Sequence, residues 1–318
     1  MKKILIIQTA FLGDVILATP IISELKRIFP DTKIDFLVKK GNQSLLENNP
    51  HLDNIFTFDK SNGKWKNIAR LIKQFRKERY DLVINLQRFS SSGIISGFSK
   101  GKKIYGFKKN PMSFLFSKKF SHEIGDGTHE VERNLSIIQE FGAKKIVRPS
   151  LFPSENDQVA VSQYQEKKYY CLAPASVWFT KQLPKHKWVE LIHQLPKDAN
   201  IYLIGAPNDS NLCDEIITDA KQENVKLLCG ELSLLQSAAL MQKAERSYVN
   251  DSGPLHLASS VNAKVTAFFC STVPSFGFGP LSDDSIVKEV QNLDCKPCGL
   301  HGHKECPKGD FKCGEIEL

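Results

Sequence analysis

Ser247-Tyr248-Val249-Asn250-Asp251-Ser252-Gly253-Pro254-Leu255-His256-Leu257-Ala258 decides the fold. A short apolar stretch turns through Asp-Ser-Gly into a segment with helical apolar spacing. A strand that ends this way presents the free N–H groups of a helix start, and these suit a phosphate or diphosphate. Gly253 lets backbone approach a ligand, Pro254 fits a first helical turn, and His256 stands where it adds a donor. The plain alternative is an ordinary capped helix that binds nothing.

The same rhythm continues in both directions. Before the run, Tyr169–Ala173, Asn200–Gly205 and Val225–Leu228 read as strands, with helices over Lys187–His193, Asp209–Lys221 and Ser233–Ala244. After it, Val265–Cys270 is a further strand. The first half repeats the pattern, with strands at Lys3–Gln8, Lys33–Val38, Ile55–Phe58, Asp81–Gln87 and Lys103–Gly106. Its helices fall at Asp14–Phe29, near Gln43–Glu47, and at Trp65–Glu78 and Glu130–Phe141. Near-continuous apolar strands alternating with helices indicate parallel sheets covered on both faces, an α/β fold. Arg148–Gln165 is rich in Pro, Ser, Asp and Gln, so the chain divides there, into domains 1–155 and 156–318.

Composition is globular, with 41% hydrophobic and 25% charged residues, which excludes a disordered or collagen-like chain. No apolar run reaches the ~18 residues of a spanning helix. Met1–Gln8 reads as a first buried strand rather than a leader, which implies a cytosolic enzyme. Charge is uneven. Residues 1–150 hold 27 Lys and Arg against 14 Asp and Glu, and the remainder is net acidic. The first domain is therefore expected to meet something anionic: a phosphorylated substrate, a membrane surface or nucleic acid. The densest stretch runs from Lys100 through Lys102, Lys103, Lys108 and Lys109 to Lys118 and Lys119, with Phe107, Phe114, Leu115 and Phe116 interleaved. It reads as a lipid-facing patch or as a solvated loop with core aromatics.

Three runs resemble family 9 glycosyltransferases, the bacterial ADP-heptose:lipopolysaccharide heptosyltransferases. Phe11-Leu12-Gly13-Asp14 through Pro20 resembles their Gly-Asp loop. Ala173-Pro174-Ala175-Ser176 followed by Thr180-Lys181-Gln182-Leu183-Pro184 resembles their small-residue loop and Lys-x-x-Pro segment. Asp251 to Ala258 resembles their nucleotide-sugar loop. Weaker echoes are Tyr80–Gln87, His129 with Arg133, and Gly230 before Leu232-Ser233-Leu234.

The resemblance implies a GT-B architecture, two Rossmann-like domains facing across a cleft. It implies inverting transfer of a heptose from ADP-heptose to the anionic inner core of lipopolysaccharide, by an enzyme peripheral at the cytoplasmic surface of the inner membrane. Acceptor binding falls to the N-terminal domain, with Gly13, Lys102 and Lys103 as candidates. Donor binding falls to Ser176, Thr180, Lys181, Asp251, Ser252, Gly253 and His256 in the C-terminal domain. Asp14 is the candidate base, with a helix cap as its plain alternative. Lys185 and Lys187 are rivals to Lys181 as the diphosphate's cation. No catalytic metal is required by this design. Other nucleotide sugars fit the same motifs. A non-catalytic nucleic-acid or membrane-binding protein is the remaining class, although no nucleic-acid module is visible.

Cys295, Cys298, Cys306 and Cys313, with His301 and His303 between them, have the ligand count for a structural zinc; free thiols or a disulfide are the alternatives. Members of the family commonly continue into a further C-terminal helix, which the resemblance implies is missing after Leu318.

Overall fold

The computed structural model describes residues 1–318 and divides into two compact units. One comprises Met1–Ile124 and Thr128–Pro149, the other Gly125–Gly127 and Ser150–Leu318.

The first unit is built on six parallel strands: β1 (Lys3–Gln8), β2 (Lys33–Lys39), β3 (Asn54–Phe58), β4 (Leu82–Asn85), β5 (Lys103–Phe107) and β6 (Lys118–Phe120). Their spatial order is β3-β2-β1-β4-β5-β6. Ile4, Leu5, Ile6 and Ile7 are fully buried, as a central strand covered on both faces demands. Helix α1 (Leu12–Ile28) packs with α4 (Glu130–Ser136), where the Asn134 amide donates to the Leu17 carbonyl. Helices α2 (Lys64–Glu78) and α3 (Ser90–Gly97) pack together as well. In α2 the buried residues Ile68, Leu71 and Phe75 recur at helical spacing and join a core that contains Leu5, Ile7, Phe58 and Val83.

The second unit repeats the plan with β7 (Tyr169–Ala173), β8 (Asn200–Leu203), β9 (Val225–Leu227), β10 (Arg246–Asn250), β11 (Val265–Phe269) and β12 (Ser285–Glu289). The order β12-β11-β10-β7-β8-β9 is the same topology as the first sheet. Its helices are α5 (Glu155–Val161), α6 (Lys185–Gln194), α7 (Ser210–Ala220), α8 (Leu234–Lys243) and α9 (Gly253–Ser260). Trp188 is fully buried in this core, and Cys313 and Ile316 of the tail join it.

Each sheet thus reverses its strand order once, between β1 and β4 and between β7 and β10. In doubly wound sheets the loops after such strands are where ligands bind.

Several elements escape the periodicity. Helix α3 is made of Ser, Gly and Ile, poor helix formers. Its position is set by packing, since a Cβ on Gly93 would strike Asn110 and one on Gly97 would strike Leu115. The linker read at 148–165 contains α5, started by Ser154, whose hydroxyl accepts from the Asp157 N–H. The short strand β6 and the exposed edge strand β12, with only Ile286 and Val287 apolar, carry no long apolar run. The helix expected to reach Phe141 ends at Ser136, because the bonds that follow it close three residues apart rather than four. In the basic stretch Phe107 and Phe116 are buried, so the lipid-facing reading of that segment fails for both; Phe114 is exposed.

Candidate active site

In the first unit β1 delivers the chain to Thr9, Ala10 and Phe11, and α1 begins at Leu12. Asp14 lies in its first turn, where Oδ2 accepts the Phe11 N–H at 3.1 Å. Asp14 therefore does cap the helix. A cap alone leaves a carboxylate acidic, and this one is not. Asp14 is partly buried, the protein packed around its carboxyl reduces its solvation, and the like charge of Glu130 adds to the effect. Together they outweigh the Phe11 N–H and the Lys109 ammonium and push the pKa up to about 6.

Glu130 opens α4 and is buried. Burial works to raise its pKa, but bonds with His122 Nε2 at 3.0 Å and Arg133 Nε at 2.9 Å prevail and lower it. Glu130 thus stays charged beside Asp14. His122 stands edge-on to Phe107, 4.6 Å between ring centres. His129 caps α4, its Nδ1 accepting the Val131 N–H.

Cations gather at the same edge of this sheet. Lys60, two residues past β3, donates to the Thr9 carbonyl. Arg88 follows β4, and Lys109 follows β5. Crowding lowers Lys109 to about 8: lost solvation leads, Arg88 and Arg133 add to it, and Glu130 and Asp14 oppose. Solvent on the exposed part of Lys109 limits that effect. The Thr9 hydroxyl and the Gln87 amide nitrogen, at the ends of β1 and β4, are buried without a partner.

Gly13 lies beside Asp14. Lys102 and Lys103 do not. Lys103 opens β5 and pairs in register with Leu82, the first residue of β4, so both lysines sit at the opposite edge of the sheet. Lys102 is held there by Asp81 at 2.7 Å. The structure thus does not bring Lys102 and Lys103 to Asp14; the cations at that edge are Lys60, Arg88 and Lys109, whose signal was their place just after a strand rather than lysine density.

In the second unit β7 and β10 are neighbours, and Asn250 ties their loops together. Its side chain accepts the Leu183 N–H at 2.9 Å and donates to the Pro174 carbonyl at 2.7 Å. Lys181 ends the short 3₁₀ turn Phe179–Lys181, and its ammonium meets Asp251 at 2.6 Å. The Thr272 hydroxyl donates to the same Asp251 oxygen at 2.6 Å. Asp251 therefore holds Lys181 in place through this one oxygen. The rival lysines are committed elsewhere, Lys185 to Glu215 and Asp219 and Lys187 to Glu190. Ser252 caps α9, Gly253 and Pro254 open it, and His256 is buried in its first turn. Ser176 is partly exposed after β7, its carbonyl accepting from Gln182.

Thr180 is a correction. It is almost fully buried, and its hydroxyl accepts the His303 N–H at 2.7 Å, so it anchors the tail and does not face a donor. The tail packs back onto this loop. Gly302 has φ +77, and a Cβ there would come within 2.9 Å of the Thr180 hydroxyl and 3.0 Å of Lys181 Cγ. Lys296 adds bonds to the Phe269 carbonyl and Glu289. The four tail cysteines are free thiols, Cys313 buried and Cys295, Cys298 and Cys306 partly exposed. No three His, Cys, Asp or Glu side chains form a group set to hold a metal ion, and burial, with Cys295 and Cys306 lying near enough to add to it, raises the pKa of the Cys298 and Cys313 thiols.

Two Rossmann-type units with these loops define a two-domain glycosyltransferase. The family model for glycosyltransferase family 9 (heptosyltransferase) matches residues 68–308, and the chain belongs to that family. Lipopolysaccharide heptosyltransferase 3 of Escherichia coli is 27% identical over 295 residues, which cover 87% of this chain and 85% of that protein. Lipooligosaccharide heptosyltransferase 2 of Campylobacter jejuni is 25% identical over 315 residues, covering 98% and 93%. The solved ADP-heptose lipopolysaccharide heptosyltransferase II of E. coli shares the fold, with a TM-score of 0.80 at 22% identity over 94% of this chain and 96% of that one. The protein is a glycosyltransferase with the double Rossmann architecture of these enzymes. No helix is long and apolar enough to cross a membrane.

Proposed function

We propose that the chain transfers a heptose from ADP-heptose to the anionic inner core of lipopolysaccharide, with inversion at the anomeric carbon, at the membrane surface that carries the acceptor. The observation that carries this reading is the character of Asp14: a carboxyl at the end of a switch-point strand, with a pKa near 6, in a chain of family 9. Such a group is ionised at neutral pH yet basic enough to accept a proton in the transition state. The names of the E. coli and Campylobacter relatives and of the solved ADP-heptose enzyme support the donor and acceptor class.

In this mechanism Asp14 takes the proton of the acceptor hydroxyl while that oxygen attacks the anomeric carbon. The bond from that carbon to the diphosphate breaks on the opposite face. Lys181, oriented by Asp251, and the N–H groups at the start of α9 take up the charge that develops on the leaving ADP, so the step proceeds without a metal. The Ser176 hydroxyl and His256 belong to the same donor loops. Lys60, Arg88 and Lys109 neutralise the acceptor's carboxylates and phosphates.

A donor screen tests the reading. ADP-heptose, UDP-sugars and GDP-sugars are assayed for binding and for transfer to a deacylated core acceptor, and the product's anomeric configuration is read by NMR. Turnover with ADP-heptose and an inverted product is expected. Preference for a UDP-sugar, or a retained configuration, overturns it.

A further inference from the structure

Three large apolar side chains of the first unit stand in solvent beside the candidate acceptor loops. Phe11 is 72% exposed, Trp65 69% and Phe89 51%. They come from different loops, after β1, after β3 at the start of α2, and after β4, so the parallel topology places all three at the strand ends that also carry Asp14. Each of the latter two has a cation over its ring. The Lys64 ammonium lies 5.8 Å from the Trp65 centroid, and Lys60 and Arg88 lie 5.8 and 5.2 Å from that of Phe89. Lys60 also reaches the Thr9 carbonyl and so joins the β1 loop to the Phe89 loop. It is crowded by Lys39 and Lys64, which marks one continuous positive rim. From Lys60 to Lys77 the chain carries no acidic residue, and Trp65 is followed by the exposed Lys66.

Burying such rings inside the fold would be favourable, and leaving three of them on one rim is informative. Aromatic rings with an apolar body beside ammonium and guanidinium groups form the composition that settles at a membrane–water interface. Positive charge of this density is drawn to acidic lipid headgroups within a Debye length.

We propose that this rim, Phe11, Trp65 and Phe89 with Lys64 and Lys66, docks the first unit onto a lipid bilayer bearing anionic headgroups. The rings enter the interface and the cations meet the lipid phosphates. This deepens the proposed function and rests on it for its purpose, since a lipid-borne acceptor would then be met at Asp14 in the plane of its own membrane. The docking itself does not require transfer to occur.

The test uses the full chain and vesicles without any glycolipid acceptor. Sedimentation with phosphatidylcholine vesicles containing about 30% phosphatidylglycerol is expected to show at least about tenfold stronger binding than with phosphatidylcholine alone, weakening as salt rises. Brominated acyl chains are expected to quench Trp65 fluorescence. W65F, which retains an aromatic ring, keeps binding but loses that quenching. W65S, and K64E with K66E, lower vesicle binding about tenfold or more, while transfer to a deacylated, water-soluble acceptor is unchanged. Equal binding to neutral and anionic vesicles overturns the proposal. So does quenching that survives in W65F, or selective binding of a DNA duplex with none to vesicles. Vesicle binding that persists with no transfer to any acceptor sinks the enzymatic reading and leaves the docking surface standing.

Discussion

Soon after β1, in the first turn of α1, and directly after β10 the chain carries an aspartate at a point where the sheet reverses its order, and the two have opposite surroundings. Asp14 has no cation in salt-bridge contact, a like-charged Glu130 nearby and a pKa near 6. Asp251 has the Lys181 ammonium at 2.6 Å and the Thr272 hydroxyl at 2.6 Å. One environment makes negative charge costly. The other neutralises it and so fixes a cation. In the proposed transfer, one topology used twice supplies a proton acceptor and an anion holder, and the difference lies in side chains brought by later parts of the chain.

The contrast breaks most sharply at Asp14. D14N is expected to lower turnover about 10²–10⁴-fold while ADP-heptose affinity, read by calorimetry, is preserved. It is also expected to stabilise the fold. The folded pKa lies above the usual 3.8, so protonation favours the folded state. The ionised carboxyl costs stability that is present in full above about 6 and relieved as pH falls toward 3.8. Asn removes a cost of up to roughly 3 kcal/mol, visible as a raised midpoint in denaturant at pH 7.5 and little change at pH 4. Unchanged turnover would return Asp14 to helix capping alone.

K181A should act in the opposite sense on both readouts. Donor affinity is expected to fall about tenfold or more. Stability falls by about 3 kcal/mol, because Asp251 is left buried without its cation. Unaltered donor affinity would move the diphosphate to another cation.

A smaller effect sharpens the link between the tail and the second loop. G302A must adopt φ +77 and displace Thr180 or Lys181. A loss of about 1–2 kcal/mol in denaturant unfolding is expected, with a weaker donor and an unaffected acceptor KM. The least effect is expected of K102A with K103A. These residues lie at the far edge of the sheet, so acceptor KM should stay within error and stability within about 1 kcal/mol.

The sequence made the architecture legible because strand, turn and helix are local signals. Tyr248–Ala258 shows all three within one run, and the Gly13-Asp14 turn shows where the first switch point lies. What stayed hidden depends on distance along the chain. Thr180 and Lys181 are adjacent, and only His303, 123 residues away from Thr180, decides that the first anchors the tail while the second turns to Asp251. Glu130 shapes Asp14 from α4, beyond any spacing rule. Lys102 and Lys103 misled because a cluster of cations in sequence is not a cluster in space: the direction of β5 sends them to one edge and Lys109 to the other.

The most direct measurement is the pH dependence of single-turnover transfer at saturating donor. If the Asp14 carboxylate is the base, the rate rises about tenfold per pH unit below about 6 and levels above it, and D14N loses that limb. A wild-type rate that stays flat from about pH 5 to 8, or the same limb persisting in D14N, would contradict it.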